Sequence, residues 1–235
     1  HPLLNLSDIS LGNILIASAF LKNKKNFNKS LHDIQDFLEI KNKVLNITKG
    51  ENLFLNAVLE DGTFISNEEH LVQIPHQSKV EDIFLLKKKL SNKEIKLINS
   101  QKNKNKKDIL NKSSTRPKIN TEVASVIKSS DIIIYGPGTQ FSSLFPSYLT
   151  IGLRKLIEKS KAKKFLVTNI YLDNDIIKET VESIIEKFYY FFNKKNPKIN
   201  NKLINYYLVN KFDDHDLNLL KKNNYLLYQK NKKYT

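Results

Sequence analysis

An apolar run, Asp131-Ile132-Ile133-Ile134-Tyr135, passes directly into Gly136-Pro137-Gly138-Thr139-Gln140-Phe141-Ser142-Ser143. That composition suits a phosphate. Gly136 and Gly138 let the backbone take positive φ and approach a ligand closely, and Pro137 stiffens the turn. Thr139, Ser142 and Ser143 add hydrogen-bond donors without adding negative charge. A Gly-Pro-Gly turn that merely links two elements is the competing reading, and the hydroxyl cluster favours a ligand loop. A second set, Ser10, Gly12 and Asn13, opens a helical pattern. Small residues there expose the first backbone N–H groups, which with the helix dipole attract an anion. Simple capping by Ser10 is the plainer alternative. A nucleotide diphosphate needs donors from more than one side, so the two loops are more telling together than apart.

Other chemistries have weaker footing. His1, His32, His70, His76 and His215 show no paired metal-ligand spacing and read as surface residues. Asp213, Asp214 and Asp216 surround His215, a cluster that reads as an acidic turn rather than a divalent-ion site, and no metal ligand is assigned. The chain has no Gly-x-Ser-x-Gly elbow, no Gly-Lys-Ser/Thr phosphate loop and no His-Glu-x-x-His pair, which removes the common hydrolase, ATPase and metalloprotease readings. Tyr189 to Phe192 form an aromatic run within a helical pattern, expected in a core or a homodimer surface rather than as a base-stacking platform.

The elements that must hold these residues follow from periodicity. Apolar residues from Ile14 to Leu21 have helical spacing, capped by Ser7, Asp8 or Ser10, and Ser30 to Ile40 predicts a second helix. Asp61-Gly62 between Leu53–Leu59 and Thr63–Ile65 predicts a two-residue hairpin. A strand over Val80 to Leu86 follows, then a mobile lysine-rich loop over residues 100–116. Thr121–Ser129 predicts a helix, Asp131–Tyr135 a buried strand, Thr150–Ser160 a helix and Phe165–Thr168 a strand. Asp175–Phe192 predicts a long helix, Leu203–Val209 a buried strand and Tyr225–Tyr228 an edge strand. Strand, loop, helix, strand in that order is the grammar of a parallel sheet, in which ligands bind at the carboxyl ends of strands. The predicted fold is therefore α/β: a Rossmann-like three-layer arrangement with a mostly parallel sheet and an antiparallel hairpin attachment. With no repeat and no long linker, residues 1–235 read as one domain.

Composition narrows the class. The 40% apolar content is ample for a core, and no run approaches a membrane span. The absence of Cys fits a reducing compartment, and a cytoplasmic location is expected. The chain begins at His1 and contains no Met, which reads as a fragment or a processed product. The net charge of +15 suggests nucleic acid, yet of 39 basic residues only Arg116 and Arg154 are arginine, the better reader of phosphates and bases. Lysine spread over solvated faces is the preferred reading, with a basic nucleic-acid-binding module as the alternative.

Taken in order, these motifs resemble the 2-phospho-L-lactate transferases (CofD) and their YvcK-type bacterial relatives. Ser10-Leu11-Gly12-Asn13 resembles the family's His-Ser-x-Gly-Asn-Leu helix opening, with Ile9 in place of His. Leu59-Glu60-Asp61-Gly62-Thr63 is similar to its Leu-x-Asp-Gly turn. Asp131 to Ser143, with Pro146 and Gly152-Leu153, resembles its Gly-Pro-Gly-Ser-x-x-x-Ser-x-x-Pro loop, with Thr139 for the first Ser. Val167-Thr168-Asn169-Ile170 resembles the next strand end, where YvcK-type proteins continue Met-Thr-Gln-Pro-Gly-Glu-Thr, and Asn210 closes a late strand. The family's opening Gly-Thr-Gly turn and Asp-Asp-Gly-Gly segment have no counterpart, so the domain reads as N-terminally incomplete.

The resemblance implies a nucleotide or nucleotide-sugar ligand. It places Gly136, Pro137, Gly138, Thr139, Ser142 and Ser143 on the phosphates, Ser10, Gly12 and Asn13 near the acceptor or the second phosphate, and Asn169 on the substrate side. It implies Mg²⁺ held by acidic groups of the missing opening segment. Two activities follow from it: phospholactyl transfer from a guanosine-linked diphosphate donor to a deazaflavin alcohol, or UDP-sugar binding that regulates cell-envelope growth. The Gly-Pro-Gly-Thr loop is nearer to the YvcK-type form.

Overall fold

The computed structural model describes residues 9–73, 78–169, 176, 178–193, 202–208 and 226–228. Helix α1 (Leu11–Lys22) starts at Ser10, whose hydroxyl accepts from the Asn13 N–H at 3.2 Å, and α2 (Phe27–Phe37) folds back on it. Phe20 meets Phe27 edge-on, and the Ser30 hydroxyl donates to the Ala19 carbonyl. Strand β1 (Phe54–Leu59) pairs antiparallel with β2 (Phe64–Ile65) across the Asp61-Gly62 turn, where Gly62 takes φ +86° and Asp61 accepts from the Thr63 N–H at 2.8 Å.

A short helix α3 (Glu68–Gln73) precedes β3 (Val80–Leu86), which completes a three-stranded sheet in the order β2-β1-β3. Its central strands are covered on both faces, so almost every residue is buried although side chains alternate. Leu55, Ala57, Leu59, Ile83 and Leu85 face the main core, while Val58, Phe84 and Leu86 face a smaller one with Ile98 and Leu110.

That smaller core is roofed by α4 (Asn92–Asn99) and α5 (Asn103–Ser113). The lysine-rich segment expected as a mobile loop is therefore largely helix. Its apolar signal is short, but Leu110 is buried, the Lys106 ammonium reaches the Gly62 carbonyl at 2.6 Å, and Lys107 pairs with Glu81. Lysine stems cover apolar surface while their heads find partners on the sheet, and a pattern count sees neither.

Helix α6 (Thr121–Ser129) leads to β4 (Ile132–Tyr135), at one end of a four-stranded parallel sheet. The π-helical turn Gln140–Leu144, α7 (Phe145–Tyr148) and α8 (Leu153–Lys159) bridge to β5 (Lys163–Val167), and α9 (Val181–Phe192) leads to β6 (Tyr206–Leu208). Strand β7 (Leu226–Tyr228) closes the order β4-β5-β6-β7. Expected as buried, β4 leaves Ile132 57% and Ile134 64% exposed: these alternate residues share one face of the strand, which the described residues leave largely uncovered, while Ile133 and Tyr135 point into the core. The long helix predicted from Asp175 begins at Val181, capped by Thr180, and residues 170–175 and 177 lie outside the description.

The aromatic run Tyr189–Phe192 is core. Phe188, Phe191 and Phe192 interlock with Tyr135 of β4, Phe141 of the π-helical turn, and Phe145 and Tyr148 of α7: Phe145–Phe191 centroids lie 4.9 Å apart and Tyr148–Phe192 rings stack at 4.4 Å. Burial pushes the Tyr135 and Tyr148 phenols well above their ordinary value; Tyr135 donates its hydrogen bond to the Leu203 carbonyl at 2.9 Å. No helix among the described residues is long and apolar enough to cross a membrane.

Two outcomes check this packing. Leu110→Ala should destabilise the chain by about 2–5 kcal/mol in urea unfolding; a change within about 0.5 kcal/mol would return residues 103–113 to a surface loop. At the start of α4, Glu94 is held near pKa 2 by the Lys88 ammonium and by the Ser91 N–H and hydroxyl. The folded value lies below the ordinary 4.5, so this cap's contribution is present above about pH 4.5 and is lost as pH falls toward 2. Carboxyl NMR of Glu94 should titrate near pH 2, and a midpoint above 4 would contradict the cap.

Candidate phosphate-binding loop

The loop begins where β4 ends. Gly138 takes φ +152°, a backbone that side-chain-bearing residues rarely adopt, as the sequence leads one to expect. Gly136 does not have positive φ, so its role is different: a Cβ built there meets nothing within 4 Å, and the space above it is open. Pro137 stands exposed between them.

Asn169, at the end of the neighbouring strand β5, grips the Gly138 peptide from both sides. Its Oδ1 accepts from the Gly138 N–H at 3.3 Å and its Nδ2 donates to the Gly138 carbonyl at 3.0 Å. Gln140, 4% exposed, donates to the same Asn169 Oδ1 at 3.1 Å and to the Gly138 carbonyl at 3.2 Å. Parallel pairing of Tyr135 with Leu166 sets this register, so strand-end residues of β4 and β5 meet. Asn169, expected on the substrate side, holds the Gly138 peptide of the loop, and Gln140 is a second residue on that peptide that residue typing missed. Its only sequence signal is a polar side chain directly after Thr139.

The hydroxyls gather on the next turn. Thr139 Oγ1 and Ser143 Oγ lie 2.8 Å apart, Ser142 Oγ is 3.4 Å from Ser143 Oγ, and Leu144 N–H closes on the Thr139 carbonyl at 3.2 Å. Ser142 is buried, Thr139 half-buried and Ser143 exposed. A π-helical turn widens this step, a feature often found at functional sites. Beneath it, the Lys187 ammonium lies 4.9 Å from the Phe141 ring centroid, pairs with the buried Glu179 carboxylate and reaches the Val80 carbonyl. That lysine is committed to the floor of the loop.

Ser10, Gly12 and Asn13 lie at the exposed start of α1, where the Ser10 hydroxyl accepts from the Asn13 N–H and its carbonyl from the Ile14 N–H. No hydrogen bond among the described residues joins them to the Gly136–Ser143 loop. The hydrogen bonds that hold Gly138, Thr139 and Ser143 run between hydroxyls, amides and backbone, and Mg²⁺, which favours one or two carboxylates plus ligand phosphates, would draw on acidic groups outside this set. Among the described residues no group of three or more His, Cys, Asp or Glu could hold a metal ion. The Asp213–Asp216 cluster and Asn210 lie outside the description.

A putative gluconeogenesis factor from Clostridium acetobutylicum is 26% identical over 212 residues, covering 87% of this chain and 38% of the relative. One from Thermotoga maritima is 29% identical over 161 residues, covering 68% and 41%. The chain therefore spans about two fifths of the length of these curated relatives. A crystal structure of a UPF0052-family protein from Bacillus halodurans superposes with TM-score 0.68 at 19% identity, covering 95% of this chain and 66% of that one, which establishes a shared fold. The family described as 2-phospho-L-lactate transferase CofD matches residues 5–234, nearly the whole chain, and the chain belongs to the CofD family.

Proposed function

We propose that the chain binds a nucleotide diphosphate or nucleotide-sugar through its phosphates at Gly136–Ser143. The observation that carries this is the Gly138 peptide, held between Asn169 and Gln140 beside an open Gly136 and three clustered hydroxyls. Backbone and hydroxyl donors fixed before the ligand arrives lose little conformational entropy on binding. The +15 charge favours approach of an anionic ligand. Binding is what the loop's own residues support, in keeping with relatives named gluconeogenesis factors rather than transferases. Phospholactyl-type transfer from a guanosine-linked donor is the second reading, favoured by the family's description. It calls for Mg²⁺ and acidic groups beyond the described residues, since phosphoryl-type chemistry rests on positioning and charge neutralisation. As a homodimer surface the aromatic run is unavailable, being core.

Calorimetric titration with GDP, GMP, UDP and a UDP-sugar plus Mg²⁺, at two salt concentrations, tests the reading. Saturable guanine-selective binding would favour the transferase, and uridine-selective binding the sugar-nucleotide reading. Silence from all four would sink both, and steep salt-dependent affinity for nucleic acid instead would favour the basic module. Gly136→Ala should leave unfolding stability within about 0.5 kcal/mol yet weaken the bound nucleotide at least about tenfold, because the new methyl enters the open approach. Gly138→Ala should lose both affinity and about 1–3 kcal/mol of stability through backbone strain. Asn169→Ala should weaken binding comparably while keeping the fold; unchanged affinity in Gly136→Ala and Asn169→Ala would place the ligand elsewhere.

A further inference from the structure

Away from the glycine loop, a cavity of about 210 Å³ lies between β3 and the start of the α5–α6 connection. Leu85, Asn111, Ser114, Thr115, Arg116 and Leu149 are among its lining residues, none of the lining residues is acidic, and none belongs to the loop already described. Arg116 is half-buried. Its Nε–H donates to the Leu149 carbonyl at 2.6 Å, which fixes the plane of the guanidinium, and among the described residues it has no ion pair.

A guanidinium carries five N–H donors, so four are left after the bond to Leu149. Partial burial of a cation without a counter-charge is unfavourable, and burial accordingly lowers the Arg116 pKa from its ordinary value. The guanidinium stays charged at neutral pH. Composition points the same way. Lysine supplies nearly all of the 39 basic residues, and the only other arginine, Arg154, is paired with Glu158 at 2.8 Å. Arginine differs from lysine in offering a planar fork that matches two oxygens at once.

We propose that this cavity is a second anion site, in which Arg116 takes a small oxyanion, phosphate or carboxylate, in a two-pronged hydrogen bond. Thr115 adds its hydroxyl, which makes no hydrogen bond among the described residues, and Ser114 and Asn111 line the same wall. The site stands independently of the glycine-loop reading, since the two share no residue.

With two arginines in the chain, their Nε–H resonances are readily told apart by NMR. The full chain is titrated with inorganic phosphate and, in parallel, with acetate, and the Arg116 Nε–H and Thr115 amide signals are followed. The expected result is a saturable shift with a dissociation constant on the order of 1 mM for at least one probe, the tighter probe naming the class. Arg116→Lys should weaken it at least about tenfold, while Arg154→Lys and Gly138→Ala leave it unchanged. Should Arg116→Lys fail to fold, Thr115→Val keeps the backbone bond to Leu85 and is expected to weaken binding about threefold. Shifts that never saturate, that survive both substitutions, or that vanish in Gly138→Ala would each overturn the proposal.

Discussion

The structure around the glycine loop depends on one packing event: aromatic rings from the turn after β4 lock into rings from α9. Phe141 and Phe145 bracket Phe191, Tyr148 stacks on Phe192, and Tyr135 meets Phe188 at 4.8 Å. Aromatic pairs at these separations add about 0.5–1.5 kcal/mol beyond burial alone. Because ring-bearing residues alternate with Ser142, Ser143 and Ser147 along this turn, burying the rings turns hydroxyls toward the loop's other side.

Once the turn is anchored, the loop's backbone is settled by short-range hydrogen bonds. Parallel pairing of β4 with β5 delivers Asn169 beside Gly138, and Gln140 reaches back to the same peptide. Below them Lys187 of α9, paired with Glu179, donates to the Val80 carbonyl of β3, so α9 is tied to the three-stranded sheet under the turn. Removing one partner of such a buried pair leaves an uncompensated charge, which makes the floor intolerant of change. The result is a loop whose backbone is held by its own hydrogen bonds, with the Thr139, Ser142 and Ser143 hydroxyls gathered on the next turn.

Much of this was legible in the chain because it is local. Asp61-Gly62, the run from Val80 to Leu86, the Thr121–Ser129 helix and the positive φ of Gly138 all follow from residue type and spacing. What was not legible depends on partners distant in sequence. Helix α5 looks like a charged loop until Lys106 finds Gly62 and Leu110 finds the sheet. Strand β4 looks buried because three consecutive isoleucines cannot announce that one face of the strand is left open. That Asn169 holds Gly138, a partner 31 residues away, could not be read from spacing. Nothing in the order Ser114-Thr115-Arg116 indicates a cavity, which appears only when Leu149 supplies the carbonyl that fixes the guanidinium.

The central claim, that Gly136–Ser143 receives the phosphates of a nucleotide, is met most directly by amide NMR. Six glycines give a sparse, assignable region of the spectrum. Titration with GDP and with a UDP-sugar should move the Gly136, Gly138 and Thr139 amides saturably for one of the two ligands, ahead of Gly50 and Gly62. Saturable binding that leaves those three amides still while shifting others would contradict the account.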